Sequence, residues 1–353
     1  IFYIQVYMGM ILQNPSGNFK LNLFLIKGDK DVSERTAEMK KKVCVVGAGR
    51  WGMNHIRTLD DLDALGAIVE SNLDQHKKIK ADYPGLSVFP SVFESFKESF
   101  DGYTIATPVE THYEIAKAIL EEGKHVLVEK PLAMRKSHAE TLNKIAMEKK
   151  LNLMTGHLLL FHPAIQKINN MLDDGKLGKL QYIYSNRLNL GAVRTEENIL
   201  WSFAPHDISV FQFLIEKSPI SVLSKGGAFL QPHLHDTTLT ILHYPDNVVG
   251  HIFVSWLHPF KEHRLVVIGS KGMLSFEDSS REKELLYYKK GIDWVKGEPV
   301  TREGVTEIIQ YQPAMPLTEE LRYFIDHLDG TPVSVSNGDN GIEVLDILEK
   351  ATT

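Results

Sequence analysis

The sequence predicts an α/β chain: a doubly wound parallel-sheet domain followed by an α+β domain with a large, mostly antiparallel open-faced sheet. Three observations carry this. Short apolar runs and helical patterns alternate strictly between residues 42 and 156, the rhythm of βαβ units with right-handed crossovers. The first turn, in "VCVVGAGRWGMNHIRTL", reads G-x-G-x-x-G. After Gly156 the texture changes to longer runs in which apolar and polar residues alternate, as half-exposed antiparallel strands do.

The elements follow in order. "VCVV" is a buried strand, and a helix opens after Gly49. "LGAIVE" (65–70) is the second strand, and "DQHKKIKADYPG" is helical as far as Pro84-Gly85. "LSVFP" is a short third strand; "SVFESFKESF" places Phe93, Phe96 and Phe100 at helical spacing. "YTIAT" (103–107) is the fourth strand, stopped by Pro108. "YEIAKAILEEG" carries Ile115, Ala116, Ile119 and Leu120 on one face and ends at Gly123. "HVLVEK" (125–130) is the fifth strand, Ser137 and Glu140 form a capping box for the next helix, and "LNLMT" (151–155) is the sixth strand. A helix over 164–173 leads into the strand-like runs "LQYIYSNRLNL", "ISVLSKGGAFL", "DTTLTILHY", "VVGHIFVSWL", "HRLVVIGS", "GMLSFED" and "ELLYYKK". The end, "LTEELRYFIDHLDG…GIEVLDILEKA", is helical.

The chain has 353 residues, 43% of them hydrophobic, which is enough for two cores. A net charge of −6 with mixed signs gives no reason to expect a nucleic-acid partner. Cys44 is the only cysteine, so no intrachain disulfide forms; this fits a reducing, cytoplasmic location. No run reaches the roughly 18 apolar residues of a membrane span. The opening stretch "IFYIQVYMGMILQNPSG" is interrupted by Gln5, Gln13 and Asn14 and lacks a basic leader. Met39 stands directly before "KKKVCVVGAGRWG". Residues 1–38 are therefore expected to be an extension outside the core fold, 39–156 the first domain and 157–353 the second. The alternative is an arm that packs on a partner.

The glycine turn acquires meaning from its context, since it leaves a strand and opens a helix. Gly47 permits the tight turn, Gly49 lets backbone approach a pyrophosphate, and Gly52 lets helix and strand pack closely. The helix N-terminus offers free N–H groups to phosphates. Arg50 and Trp51, in the same loop, are counted among the cofactor contacts. Glu70 ends the second strand 18 residues past Gly52, where a carboxylate grips ribose hydroxyls and repels the extra phosphate of NADP. NAD is thus favoured over NADP. Thr107 and Pro108 end the fourth strand and are placed to line the nicotinamide side. His112 begins the next helix, either as a cofactor contact or as a packed or capping histidine.

"GAGRWG", "ATPVETHYE", "EKPLA", "GHLLLFHPA" and "GSKGMLSFE" occur in an order that resembles the glucose–fructose oxidoreductase / inositol dehydrogenase family, Gfo/Idh/MocA, over about residues 40–350. The resemblance implies a Rossmann domain, an open-faced sheet domain and NAD(P)-linked oxidation or reduction of sugars, cyclitols and related compounds. It implies that Lys130 of E-K-P is catalytic and that Glu129 and Lys130 both contact the cofactor. A buried strand-end lysine can share a substrate hydroxyl proton near neutral pH. The family's D-x-G-x-H segment falls on "LWSFAPHDISVFQFL", before a helix. His206 matches the histidine, the lysine's relay partner, while Ser202 and Ala204 replace the aspartate and the glycine. Asp207 is either a catalytic substitute or an acid at the N-terminus of its own helix.

Substrate contacts are expected from His157, Asn186, Arg187, Arg194, His206 and Lys261. His157 and His162 line the cleft or pack at the domain junction. Guanidinium groups suit phosphate or carboxylate recognition, and the sequence resembles bacterial nucleotide-sugar 3-dehydrogenases acting on UDP-N-acetylglucosamine or its uronate in polysaccharide pathways. A free sugar or inositol is the alternative substrate. "HLHD" (233–236) lacks a further ligand, so no metal is expected. Cys44, inside a strand, reads as core. A non-catalytic NAD sensor on the same fold is the competing function; it would not need to keep both Lys130 and His206. An exposed apolar sheet face predicts a homodimer or homotetramer formed sheet to sheet.

Overall fold

The computed structural model describes residues 40–352, and the expected extension (1–38) lies outside them. The first domain builds a six-stranded sheet from β1 (Val43–Val46), β2 (Leu65–Val69), β3 (Ser87–Phe89), β4 (Gly102–Ile105), β5 (His125–Glu129) and β6 (Leu153–Gly156). Every pairing is parallel and the order is β3-β2-β1-β4-β5-β6. Helices α1 (Gly52–Asp61), α2 (Leu73–Asp82), α3 (Val92–Ser95), α4 (His112–Glu121) and α5 (Lys136–Lys149) connect the strands. β1 and β4 are buried along their whole length, which is why they read as continuous apolar runs rather than alternating ones. This is the doubly wound arrangement, with the crevice at the carboxyl ends of β1 and β4, where the strand order reverses.

Two local expectations fail. The helix expected over 91–100 is one turn, capped by Ser91, whose hydroxyl accepts from Glu94 N at 3.3 Å. Phe93 is exposed, whereas Phe96 and Phe100 pack edge-on against Tyr103 with ring centroids 6.0 and 5.8 Å away. The phenylalanine spacing therefore reflects an aromatic cluster rather than a helix face. The Ser137–Glu140 capping box also fails, because Ser137 lies inside α5 and Arg135 at the cap position makes no side-chain cap. The free Lys136 N–H is instead satisfied by Glu349, 213 residues away, at 2.7 Å. A tertiary contact has taken over the role of a local cap.

The second domain begins with α6 (Pro163–Asp173), β7 (Leu180–Leu190) and α7 (Ile199–Ile215). It continues with β8 (Ser221–Gly227), β9 (Thr237–Tyr244), β10 (Val248–Ser255), β11 (Leu257–Gly269), β12 (Met273–Glu277) and β13 (Leu285–Tyr288). The hairpin β14 (Gly291–Val295) and β15 (Glu298–Arg302) precedes β16 (Thr306–Ile309), and α8 (Pro316–Asp326) and α9 (Gly338–Thr352) end the described chain. Eight strands form one sheet in the order β16-β13-β12-β11-β7-β10-β9-β8, antiparallel except for the β7–β10 pair. The β14–β15 hairpin forms a separate sheet that the sequence reading did not anticipate. Its residues are exposed on both faces apart from Gly291 and Arg302, so no burial period marks it.

α7 is longer than expected and runs straight through Pro205, a residue that normally stops a helix. His206 and Asp207 consequently sit in mid-helix, and Asp207 is not an N-terminal acid. Asn198 caps α7, its side-chain oxygen accepting from Trp201 N at 3.1 Å. α7 covers the inner face of the sheet, against β7, β9 and β10. The C-terminal helices return to the first domain: α9 packs on α5 and β6, and α8 packs on α1. Among the described residues, no helix is long and apolar enough to cross a membrane.

Candidate active site

The glycine turn has the geometry its sequence predicts. Gly47 has φ +97° and donates its N–H to Val69 O at 2.8 Å, tying the turn to β2. A Cβ on Gly52 would stand 1.9 Å from Gly47 O, so strand and helix meet too closely for any side chain. At Gly49 a Cβ would meet nothing within 4 Å. Open space above Gly49 and contact below Gly52 are what a backbone cradle for a pyrophosphate requires. Glu70 is buried at the end of β2, where its carboxylate accepts from Ala48 N at 2.9 Å and Asn72 N at 2.8 Å. The acid expected at the ribose thus holds the glycine loop. Arg50 is exposed on that loop.

Across the crevice, Thr107 Oγ1 accepts from Thr111 Oγ1 at 2.7 Å, and Pro108 is exposed. His112 is buried, and its ring nitrogens face Pro131 O at 2.9 Å and Thr107 O at 3.0 Å. It clamps the end of β4 to the turn after β5. Burial pushes its pKa down, against the pull of those two carbonyls.

Lys130 leaves the end of β5 and donates from Nζ to Ser202 O of α7 at 2.9 Å. Burial lowers its pKa, while Glu129 and Glu197 pull it back up. His206 stands one turn beyond Ser202. Burial, then the positive charges of Lys130 and Arg187, holds its pKa well below the ordinary histidine value, so the ring is neutral at neutral pH; its Nδ1 has no partner among the described residues. His157 is buried, has neither ring nitrogen bonded among the described residues, and is pushed to about 4 by burial. A lysine biased toward its free base therefore faces neutral imidazoles able to take or pass a proton.

Other expected residues sort differently. Asp207 is engaged by Arg187 in a forked ion pair, at 2.7 Å from Nε and 3.2 Å from Nη2. Arg187 also reaches His263 Nδ1 at 3.4 Å, and burial followed by that guanidinium pushes His263 to about 3. Asn186, one residue earlier on β7, points to the opposite sheet face and donates to Glu262 at 3.0 Å. Successive strand residues alternate faces, so Asn186 and Arg187 cannot serve the same cleft. Arg194 and Lys261 are exposed. His162 caps α6, its Nδ1 accepting from Ala164 N at 3.1 Å. Asp236 of "HLHD" is a buried anchor that accepts from Phe229 N, Leu230 N and Trp256 Nε1.

A cavity of about 430 Å³ opens between the domains, bounded by Pro108, Glu110 and Pro131 on one side and Arg194, Glu197 and Trp201 on the other. The sequence reading missed two buried residues near Glu129. His55 of α1 donates from Nε2 to Glu129 at 2.8 Å. Glu320 of α8 is completely buried. The one available signal was a polar residue on each apolar helix face, beside Ile56 and Leu59 and beside Leu321 and Phe324.

Known protein families match both domains of the described chain. A profile described as an oxidoreductase family with an NAD-binding Rossmann fold matches residues 41–157. The GFO/IDH/MocA C-terminal domain matches residues 165–275. UDP-N-acetylglucosamine 3-dehydrogenase from Acidithiobacillus ferrooxidans is 28% identical over 185 residues, which are 52% of this chain and 57% of that protein. Inositol 2-dehydrogenase 2 from Saccharopolyspora erythraea is 24% identical over 277 residues, covering 75% of this chain and 80% of that protein. The chain therefore spans less than two-thirds of the first of these relatives.

Among solved structures, the Acidithiobacillus ferrooxidans UDP-N-acetylglucosamine 3-dehydrogenase GnnA superposes with a TM-score of 0.77 at 24% identity, over 88% of this chain and 96% of that one. The WlbA dehydrogenase from Bordetella pertussis, in complex with NADH and UDP-GlcNAcA, gives 0.72 at 20% identity, over 88% and 95%. At these identities the structural likeness is one of fold. The two family matches settle the classification: the chain belongs to the Gfo/Idh/MocA family of oxidoreductases, and its first domain is an NAD-binding Rossmann domain.

Proposed function

We propose that the chain is an NAD-dependent dehydrogenase that oxidises a hydroxyl-bearing carbon of a sugar, with a UDP-N-acetylglucosamine-type substrate oxidised at C3. The observation that carries this reading is Lys130, half-buried at the carboxyl end of β5 and held against α7 within one turn of His206. The glycine loop and Glu70 would hold NAD, which when bound supplies a hydride acceptor. Lys130 takes the hydroxyl proton, and His206 and His157 are the neutral groups beside it that can pass that proton on. The relatives with a nucleotide-sugar name support the substrate class.

One observation favours a second reading, a free polyol such as an inositol. Of the two guanidinium groups expected at the substrate, Arg187 is already paired with Asp207 at 2.7 Å, while Arg194 stands exposed on the cavity wall. The cavity wall also carries Glu110, Glu196 and Glu197. A panel of UDP-sugars, free sugars and inositols, assayed with NAD by absorbance of NADH, separates the two readings. Turnover of UDP-sugars alone supports the first, and turnover of inositols alone the second. NADH formation with no member of the panel would contradict both.

Glu70→Ala should weaken NAD binding by about tenfold, the order of one charge-assisted hydrogen bond, and NADP binding by less. Equal losses, measured by titration, would mean that Glu70 acts only through the loop.

The outer face of the eight-stranded sheet carries Tyr182, Tyr184, His251 and Phe253, with Leu223 and Leu239 exposed at 54% and 43%. We infer that copies of the chain associate through this face. Sedimentation at micromolar concentration should show a dimer or tetramer; a monomer would count against it.

A further inference from the structure

Beneath Lys130 lies a buried acidic group that the reaction as drawn does not use. The Glu129 carboxylate accepts from Trp51 Nε1, from His55 Nε2 at 2.8 Å and from the Lys130 backbone N–H at 3.2 Å. It therefore ties the glycine loop, α1 and the catalytic strand end together. Glu320 approaches from α8, which packs on α1. Both its carboxyl oxygens are buried without a partner among the described residues, and so is His55 Nδ1. An ionised carboxylate in such a place would be left without any donor.

We propose that His55 is a positioning residue for the reaction: with Trp51 it confines one negative charge to the Glu129 carboxylate, that charge governs the protonation of Lys130, and the neighbouring Glu320 stays neutral. Two neighbouring buried carboxyls do not both ionise, and the three donors on Glu129 decide which of them carries the charge. Burial opposes that charge, but the His55 and Trp51 hydrogen bonds keep Glu129 below its ordinary pKa. Burial, then the Glu129 charge, drives Glu320 well above its own. Besides Glu129, the groups facing Lys130 are Glu197, Arg187 and Arg194, with His206 and His157 beside it. Glu129 is the first among its charged neighbours and the only one fixed by three donors.

The inference rests on the assignment of Lys130 above, yet its test needs neither substrate nor turnover. In the full chain, the reactivity of Lys130 toward acetic anhydride can be followed against pH by mass spectrometry. In His55→Leu, Glu129 loses a donor and takes up a proton, so Lys130 loses its counter-charge. Its labelling midpoint should fall by about one unit or more, since an adjacent opposite charge is worth roughly one to three units. Glu320→Gln should leave that midpoint unchanged, because one neutral group replaces another.

Glu320→Gln also supplies a second readout should His55→Leu fail to fold. A raised folded-state pKa means that the folded chain binds more protons than the unfolded one, so stability falls as pH rises above the ordinary carboxylate range. The Gln variant escapes that loss. Its melting temperature should exceed that of the wild type at neutral pH, with the difference closing toward pH ~4. Parallel melting profiles, an unmoved midpoint in His55→Leu, or a midpoint that drops in Glu320→Gln would each overturn the proposal.

Discussion

Lys130→Met is expected to lower turnover by roughly 10²- to 10⁴-fold, the range over which a positioned acid–base group contributes, while NAD affinity changes little. The asymmetry follows from where the lysine points. Its Nζ reaches across the crevice to Ser202 O on α7 rather than back to the glycine loop. The groups proposed to hold the dinucleotide are Gly47, Gly49 and Glu70, at the ends of β1 and β2. Methionine keeps the length of the chain and its packing against α7 but cannot accept a proton. Steady-state rates set beside an NAD titration read the two effects separately. Undiminished turnover would remove Lys130 from the chemistry; a parallel collapse of NAD binding would make it a cofactor residue.

Gly52→Ala is the second large effect, and it acts on the fold as well as on the cofactor. The new methyl group would stand 1.9 Å from Gly47 O and 2.8 Å from Gly47 C, both backbone atoms that cannot rotate away. Either α1 moves off β1 or the turn opens. Overpacking of this kind costs about 1–3 kcal/mol or more, and the displaced turn should lose NAD affinity by more than tenfold. Gly49→Ala is the contrasting variant. Its methyl group meets no atom of the described residues within 4 Å, so stability should hold while NAD binding falls. Denaturant unfolding and NAD titration of both variants test this. A stable Gly52→Ala, or a Gly49→Ala that binds NAD unchanged, would contradict the account of the loop.

What was legible in the sequence follows from which interactions are local. The buried parallel strands announced themselves as apolar runs because both of their faces are covered, and the glycine turn because its conformation admits few other residues. Glu349 capping α5 and α7 running through Pro205 were not legible, since contacts from distant segments overrode the local signals. Phe93, Phe96 and Phe100 show the reverse error, a helical spacing produced by packing around Tyr103. At the site, Lys130 and His206 were found through motifs. The alternation of β7 implied that Asn186 and Arg187 oppose each other, but not which of them faces α7. His55 and Glu320 carry no motif, and Glu320 comes near Glu129 only because α8 returns to α1.

The central claim is that a hydride passes from a sugar carbon to NAD while Lys130 takes the hydroxyl proton. Isotope transfer tests this most directly. With the best substrate of the panel deuterated at the carbon to be oxidised, the reduced cofactor isolated from a single turnover should carry one deuterium, and Lys130→Met should yield almost none. Reduced cofactor free of deuterium, or label retained on the sugar while NADH accumulates, would contradict it.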